Sequence, residues 1–329
     1  MKRAIIAVSV LLASASAARA LGPKETGRRN VAILIFPGVQ IIDYTGPWEV
    51  LGHAYVNNQP AFRIYTVAES TDPITTSMGM SVNPTYRFAT APKPDLIVVP
   101  GGNVDPQLSN SAVIAWLRDN ARGAEVVLSV CNGAFFLAKA GLLDGLEATT
   151  FAGLIDELKV AAPRTRVVSD KRFVDNGKIV TAAGLSSGID GALHVIEKLF
   201  GKGTAQVAAV SLEYDWRPDS GYARASLADR RLSPGYDAIR EFSRTVVRHE
   251  GTRDRWETSW KIRTDAGAAS VLERLDKAFG GVPGAARQGA GAWRLTGDDG
   301  SAWAESTSVR PIEGKGSGYV VTMSVARAK

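Results

Sequence analysis

The sequence has little cysteine and little histidine, with one cysteine and three histidines in 329 residues. A single cysteine forms no disulfide within the chain, so we expect Cys131 to be buried, paired with another chain or chemically used. No histidine has metal-ligand spacing with another histidine or with Cys131, so we predict no metal and no cofactor. His194 shares the polar side of its predicted helix with Asp190, and we expect His194 to be solvated.

Charge of one sign is also scarce. The formal net charge is +6, and three of the basic residues, Lys2, Arg3 and Arg19, lie within the first twenty positions. Without that segment the chain has 36 basic against 33 acidic residues. Such a weak and dispersed excess gives no electrostatic footprint for a nucleic acid, so we predict no nucleic-acid partner.

Long apolar runs are missing as well, and no segment after residue 20 is long and apolar enough to span a membrane. The opening MKRAIIAVSVLLASASAARA has a short basic start, an apolar run and an Ala18-x-Ala20 ending. This layout is typical of a cleaved secretory signal, residues 1–20, with an uncleaved anchor as the alternative. We expect a periplasmic or secreted protein with no stable membrane insertion after cleavage.

What the chain does contain is an alternation of apolar strands and helical segments from residue 21 to residue 217. It predicts a parallel sheet covered by helices on both faces, a flavodoxin-like α/β sandwich. Residues 218–245 are polar, arginine-rich and broken by proline and glycine, and predict a linker. In residues 246–329, side chains such as Trp256 and Trp260 alternate with polar ones, which predicts a small α+β domain of unknown role with an antiparallel sheet.

The lone cysteine lies at a strand-to-helix corner, LSVCNGAFFLA, residues 128–138. Ser129 and Gly133 flank it at minus two and plus two, where a tight turn needs small residues. This arrangement is typical of the nucleophile elbow of hydrolases, with sulfur replacing oxygen. The positive start of the following helix predicts a lowered thiol pKa. The alternative is an inert core cysteine, which we consider less consistent with the corner.

Ligands of parallel sheets bind beyond the carboxyl ends of the strands, so residues following several strands are expected to converge. Asp43 follows the first strand, although it could simply cap the next helix. Gly101 and Gly102 follow the third strand, and the segment 182–188 follows a later one. Together with Gly133, these two glycines are candidates for offering backbone N–H groups to a substrate or an oxyanion.

Four stretches resemble the ThiJ/PfpI family, within the class I glutamine amidotransferase-like fold, over roughly residues 30–217. They are VAILIFPGVQIIDYTGPWEVL, LIVVPGG, SVCNGAFFLAKAGLLDGLEATT and AAGLSSGIDGALHVIEKLFG. The branch that they resemble is the isonitrile hydratases and related regulators. The resemblance to that branch implies that Cys131 and Asp43 are catalytic residues. Asn132 stands where a threonine is usual, and Phe151 stands where many relatives have a histidine.

The resemblance implies water addition to a small-molecule isocyanide, giving an N-substituted formamide. The cysteine would attack the terminal carbon and Asp43 would supply the proton, with Asn132 as the third catalytic residue. The alternative is a non-catalytic ligand-binding or redox-sensing domain, related to the regulators of the family. We expect a homodimer, in which the tail either covers the site or makes a dimer contact.

Overall fold

The computed structural model describes residues 27–297, 299–312 and 318–328. The predicted secretory signal, residues 1–20, lies outside the described residues. Within them, no helix is long and apolar enough to cross a membrane.

The first domain is built on a seven-stranded sheet. Its strands are β1 (Arg29–Leu34), β2 (Phe62–Ala68), β3 (Tyr86–Arg87), β4 (Leu96–Val99), β5 (Val126–Val130), β6 (Phe173–Asp175) and β7 (Ile179–Ala182). They are arranged in the order β6-β7-β5-β4-β1-β2-β3, and every neighbouring pair is parallel except β6 and β7. All five residues of β5 are buried, as expected for a strand with both sheet faces covered. The predicted α/β sandwich is therefore confirmed.

Seven helices belong to this domain. They are α1 (Ile41–Gly52), α2 (Asp105–Leu108), α3 (Ser111–Gly123), α4 (Ala134–Lys139), α5 (Ile155–Ala161), α6 (Ser187–Phe200) and α7 (Lys202–Ser211). The α3 helix begins after Asn110, whose side chain accepts a hydrogen bond from the N–H of Ala112 at 3.0 Å. The α6 helix packs against β5 and β7 and also against α1 and α7. This packing brings the starts of α1 and α6 to the edge where the parallel strands end.

The second domain is a helix on a six-stranded antiparallel sheet. Its strands are β8 (Ser243–Gly251), β9 (Arg255–Arg263), β10 (Ala286–Gly289), β11 (Ala292–Thr296), β12 (Ala302–Pro311) and β13 (Gly318–Arg327). Their order is β8-β9-β13-β12-β11-β10. A second apolar core, separate from that of the first domain, includes Ile262 and Met323 of this sheet, and Phe279 of the α9 helix (Ala268–Gly280). The predicted α+β architecture of the tail is confirmed.

The predicted linker, residues 218–245, is instead folded over most of its length. It contains two 3-10 helices, Arg224–Ser226 and Ala228–Leu232, and the α8 helix (Ser233–Ala238). Leu232 and Ile239 are buried in the second core. The prediction failed because the prolines and glycines mark turns between short helices, while the apolar residues that anchor them are widely spaced. We call residues 222–238 the bridging segment.

Candidate active site

The corner at Cys131 has the geometry of a nucleophile elbow. Cys131 follows β5 directly and begins the 3-10 helix Cys131–Gly133, with a φ of 58° that few non-glycine residues adopt. Gly133 is required by packing, because a Cβ there would lie 2.1 Å from the carbonyl oxygen of Val99. The strand-to-helix turn therefore presents the cysteine side chain at the carboxyl end of the sheet.

Asp43 lies in the first turn of α1 and is fully buried. It does not cap this helix, whose N-cap residue is Gln40 without a side-chain cap bond. Its Oδ2 atom accepts a hydrogen bond from the N–H of Gly101 at 3.1 Å. Its Oδ1 atom is buried and has no full hydrogen-bond partner among the described residues. Burying a carboxylate oxygen without a hydrogen-bond partner destabilises the folded protein. Such unsatisfied groups in a native structure often mark a functional site.

Asp43 and Cys131 meet at Gly101. A Cβ on Gly101 would lie 2.9 Å from Asp43 Oδ2 and 2.9 Å from Cys131 Cβ, so both side chains pack against this one α-carbon. The thiol of Cys131 approaches the carboxyl of Asp43 as a hydrogen-bond donor and thereby lowers the pKa of Asp43. The contact is not a full hydrogen bond, because its geometry falls outside the usual limits. The parallel sheet thus brings together the two residues that the sequence predicted.

The two groups have raised pKa values. Burial raises the pKa of Asp43 to about 6, opposed by hydrogen bonds that include those from Gly101 and Cys131. Burial, followed by the negative charge of Asp43, raises the pKa of Cys131 to about 12. The expectation of a lowered thiol pKa was wrong, because burial and the charge of Asp43 outweigh the backbone hydrogen bonds of Asn132 and Leu185, which lower the pKa of Cys131. At neutral pH the pair therefore holds one proton, on sulfur, beside a carboxylate.

Asn132 holds the loop after β4. Its Oδ1 accepts from the N–H of Gly102 at 2.8 Å, and its Nδ2 donates to the carbonyl of Gly102 at 2.9 Å. The N–H groups of Gly101 and Gly102 are therefore donated to Asp43 and Asn132 within the protein. They shape the site, and their predicted role as open donors to a substrate does not fit this arrangement.

Sequence reasoning missed two residues of the site. Leu185, which follows β7, has a φ of 57°, and its N–H lowers the pKa of both Asp43 and Cys131. Thr150 is buried, and its hydroxyl donates to the carbonyl of Cys131 at 2.8 Å. The segment 182–188 was a weak signal for Leu185. Thr150 is the last residue of the stretch SVCNGAFFLAKAGLLDGLEATT, and only its place in that family-like stretch could have suggested its role.

The three histidines lie away from this pair. His194 bonds to Asp175 at 2.9 Å and stacks on Phe173, so it is only partly solvated, contrary to expectation. Asp190, on the same helix, is buried and binds Arg172. No group of three or more potential ligand side chains that could hold a metal occurs in residues 27–297, 299–312 and 318–328.

Phe151 occupies the position at which many relatives were expected to have a histidine. Its ring packs over Gly184, where a Cβ would lie 2.6 Å from Phe151 Cδ2. The side chain remains 38% exposed. An apolar surface therefore lies next to Leu185, and the Phe151 side chain itself offers no base.

The chain is similar to known proteins over the region that contains Cys131 and Asp43. The sequence model of the DJ-1/PfpI family matches residues 29–198. An isonitrile hydratase of Pseudomonas putida is 36% identical over 198 residues, covering 58% of this chain and 82% of the hydratase. The HTH-type transcriptional regulator CdhR of Pseudomonas aeruginosa is 29% identical over 198 residues, which cover 60% of this chain and 59% of the regulator.

Solved structures show the same fold. A ThiJ/PfpI family protein from Pseudomonas syringae aligns with a TM-score of 0.56 at 26% identity, covering 71% of this chain and 93% of that one. DJ-1beta of Drosophila melanogaster aligns with a TM-score of 0.51 at 22% identity, covering 58% of this chain and 100% of its own. The family model ends at residue 198, so the bridging segment and the second domain lie outside it.

Proposed function

Because the chain belongs to the DJ-1/PfpI family, we propose that it is an exported cysteine-dependent enzyme that adds water to an isocyanide. The product is an N-substituted formamide. The observation that carries this proposal is the buried pair of Cys131 and Asp43, in which Asp43 has a pKa near 6 and its Oδ1 atom has no full hydrogen-bond partner among the described residues. The 36% identity to an isonitrile hydratase supports the same chemistry.

In the first step, the sulfur of Cys131 bonds to the terminal carbon of the isocyanide. The Asp43 carboxylate removes the thiol proton as the bond forms, since a thiol with a pKa near 12 is not ionised at neutral pH. The protonated carboxyl then gives this proton to the same carbon. The result is a thioimidate, with the nitrogen joined to the carbon by a double bond, and a regenerated carboxylate.

In the second step, a water oxygen adds to the thioimidate carbon. Asp43 takes a proton from this water and passes it to the nitrogen. The tetrahedral intermediate then collapses: its hydroxyl loses a proton through Asp43, the carbon–sulfur bond breaks, and the thiol regains the proton. Isocyanide and water are consumed in equal amounts, the formamide is released, and no oxidant or reductant is needed.

Asn132 and Phe151 are the two positions that bear on which reaction of the family this site can support. Asn132 keeps the Gly101–Gly102 loop in place against Asp43 through its two hydrogen bonds to Gly102. Phe151 offers no base, which argues against reactions that depend on a Cys-His pair. Isocyanide hydration needs one shuttling proton, and Asp43 alone can carry it.

The test is turnover of a panel of isocyanides by the purified protein, with formamide measured directly and with peptide and glyoxal substrates as controls. We expect formamide from the wild-type protein and none from Cys131→Ser. Absence of turnover across the panel would contradict the proposal. Binding of an isocyanide or another small molecule without turnover would favour the alternative, a non-catalytic ligand-binding or sensing domain.

Export rests on the first twenty residues, and it predicts a mature protein that starts near Leu21. Mass spectrometry of the protein from its native host tests this, and an intact Met1 in the cytoplasm would contradict it. We also propose a homodimer, which sedimentation of the mature protein would show at twice the chain mass. A monomer at micromolar concentration would contradict it.

A further inference from the structure

A cavity of about 310 Å³ lies between the first domain and the bridging segment. The 3-10 helix Ala152–Leu154 packs there against the 3-10 helix Arg224–Ser226. The first domain contributes Phe151 and Asp156 to the lining, and the bridging segment contributes Arg224, Arg230 and Ser233. This volume suits a small substituent of a few carbon atoms rather than a whole cofactor.

Phe151 connects this cavity to the site. Its ring lines the cavity and also packs on Gly184. The next residue, Leu185, directs its N–H toward Asp43 and Cys131. The ring of Phe151 therefore separates this cavity from the loop of Leu185, whose N–H approaches Asp43 and Cys131.

The bridging segment has a second link to that loop, through Arg172. The guanidinium of Arg172 lies 5.6 Å from the centre of the Tyr222 ring, and Arg172 donates to the hydroxyl of Ser186 at 3.4 Å. The loop that carries Leu185 is thus linked to the bridging segment through both Phe151 and Arg172. These two links place the bridging segment beside the loop whose Leu185 N–H approaches Cys131.

Three charged groups line the cavity, and two of them are already neutralised. Arg224 donates two hydrogen bonds, of 2.7 and 2.6 Å, to the buried carboxylate of Asp229. Asp156 accepts a hydrogen bond from Lys159 at 2.7 Å.

Arg230 differs from these two groups. Its Nη1 donates to the carbonyl of Ala225 at 2.7 Å. After the hydrogen bond from Lys159, its charge helps to lower the pKa of Asp156 across the cavity, although Arg230 and Asp156 form no direct ion pair among the described residues. It also lines a second, larger cavity of about 810 Å³ between the two domains. An arginine held by one carbonyl and facing open space is a suitable partner for an anionic ligand.

We propose that Arg230 binds an anionic group at the far end of the substrate's N-substituent, so that the preferred substrates are isocyanides bearing a carboxylate. This inference rests on the proposed function. It also assigns a role to the second domain. Leu232, two residues after Arg230, is fully buried in the second core and anchors the segment. The second domain therefore positions a binding residue that the family-matched region does not contain.

The first measurement compares n-butyl isocyanide with its analogue in which the terminal methyl is replaced by a carboxylate. We expect the wild-type protein to hydrate the carboxylate with a kcat/KM about tenfold higher or more, the usual value of a charge-assisted hydrogen bond. Arg230→Gln should lose this preference, and Arg230→Lys should keep part of it. The matched control is Arg263→Gln, an exposed arginine of β9, which should keep the wild-type preference.

The second measurement does not depend on isocyanide chemistry. Cys131 is alkylated at pH 8 with N-butyl iodoacetamide or with N-(3-carboxypropyl) iodoacetamide, and the two rates are compared. We expect faster labelling by the carboxylate reagent in the wild-type protein and equal labelling in Arg230→Gln. If isocyanides are not hydrated while this difference is found, the proposed reaction is wrong and recognition of an anion by Arg230 stands.

Two results would overturn the inference. One is a wild-type protein that treats the charged and uncharged members of both pairs alike. The other is an Arg230→Gln protein that keeps the preference while its melting temperature matches that of the wild type. If Arg230→Gln is unstable, Arg230→Lys decides the question, because a full loss of preference in that folded variant would also contradict a charge-based contact.

Discussion

Asp43 and Cys131 flank the α-carbon of Gly101, one side chain coming from the first helix and the other from the end of β5. Burial raises the pKa of both groups, and the charge of Asp43 raises that of Cys131 further. Their ionisation is therefore linked, and a change at one residue alters the chemistry of the other. The first three predictions follow from this linkage.

Asp43→Asn should separate the two functions of the carboxylate. It keeps the shape and removes the base, so turnover of any isocyanide substrate should fall by about 10² or more. It also removes the negative charge that raises the pKa of Cys131, so iodoacetamide should label the cysteine faster at pH 8. Rates of hydration and of labelling check this. Full activity, or a labelling rate that rises over the same pH range as in the wild type, would be inconsistent with a linked pair.

The pH dependence of turnover should follow Asp43. The carboxyl must be ionised to accept the thiol proton, and its pKa is raised to about 6. We expect kcat/KM to rise through pH 6 and to reach a plateau near pH 7, well below the thiol pKa. A profile that instead rises only above pH 8 would indicate that a free thiolate is the reactive form, without help from Asp43.

Asp43 should also lower the stability of the folded protein at neutral pH. Its folded pKa of about 6 lies above the ordinary value of 3.8 for an aspartate, so the folded state binds the proton more tightly. The free energy of unfolding should therefore fall as the pH rises from about 4 to 6. Asp43→Asn should gain up to about 3 kcal/mol at pH 8 and little at pH 4. Denaturant unfolding at the two pH values measures this, and an equal effect at both would contradict it.

The sequence predicted the first domain well because its strands are continuous apolar runs, such as residues 31–36. Such runs, bounded by turn residues and alternating with helical segments, are typical of a parallel sheet with both faces covered. The boundary of the second domain was misplaced because burial of Leu232 and Ile239 depends on a distant sheet. Isolated apolar residues in a polar, arginine-rich stretch give no periodic signal.

The same distinction holds for the site. Asp43 and Cys131 follow strand ends, and the rule for parallel sheets is enough to bring them together. Leu185 acts through its backbone N–H in a left-handed conformation, which its side chain does not disclose. The pKa of Cys131 depends on how deeply the elbow is covered, and no local pattern encodes that depth.

Gly101 should tolerate no side chain. A Cβ there would lie 2.1 Å from Asn132 Oδ1 as well as 2.9 Å from Asp43 Oδ2, so Gly101→Ala must displace both. We expect hydration activity to fall by at least about 10², since the hydrogen-bonded geometry of the base is lost. Gly203→Ala is the control, because a Cβ in that α7 position meets nothing within 4 Å. Activity retained in Gly101→Ala would show that the loop moves freely and does not position Asp43.

Glu305 gives the second domain its own pH dependence. Its side chain is 2% exposed, its Oε2 atom has no hydrogen-bond partner among the described residues, and burial raises its pKa to about 7. Because the unfolded value is near 4.5, stability conferred by the protonated form should be lost as the pH rises from 4.5 to 7. Glu305→Gln keeps the shape and cannot ionise, so it should raise the unfolding temperature of this domain at pH 8 but not at pH 4. Glu257→Gln, on the partly exposed side of the same sheet, is the control and should show no such gain. A destabilised Glu305→Gln at pH 8 would mean that the ionised carboxylate has a partner that stabilises it.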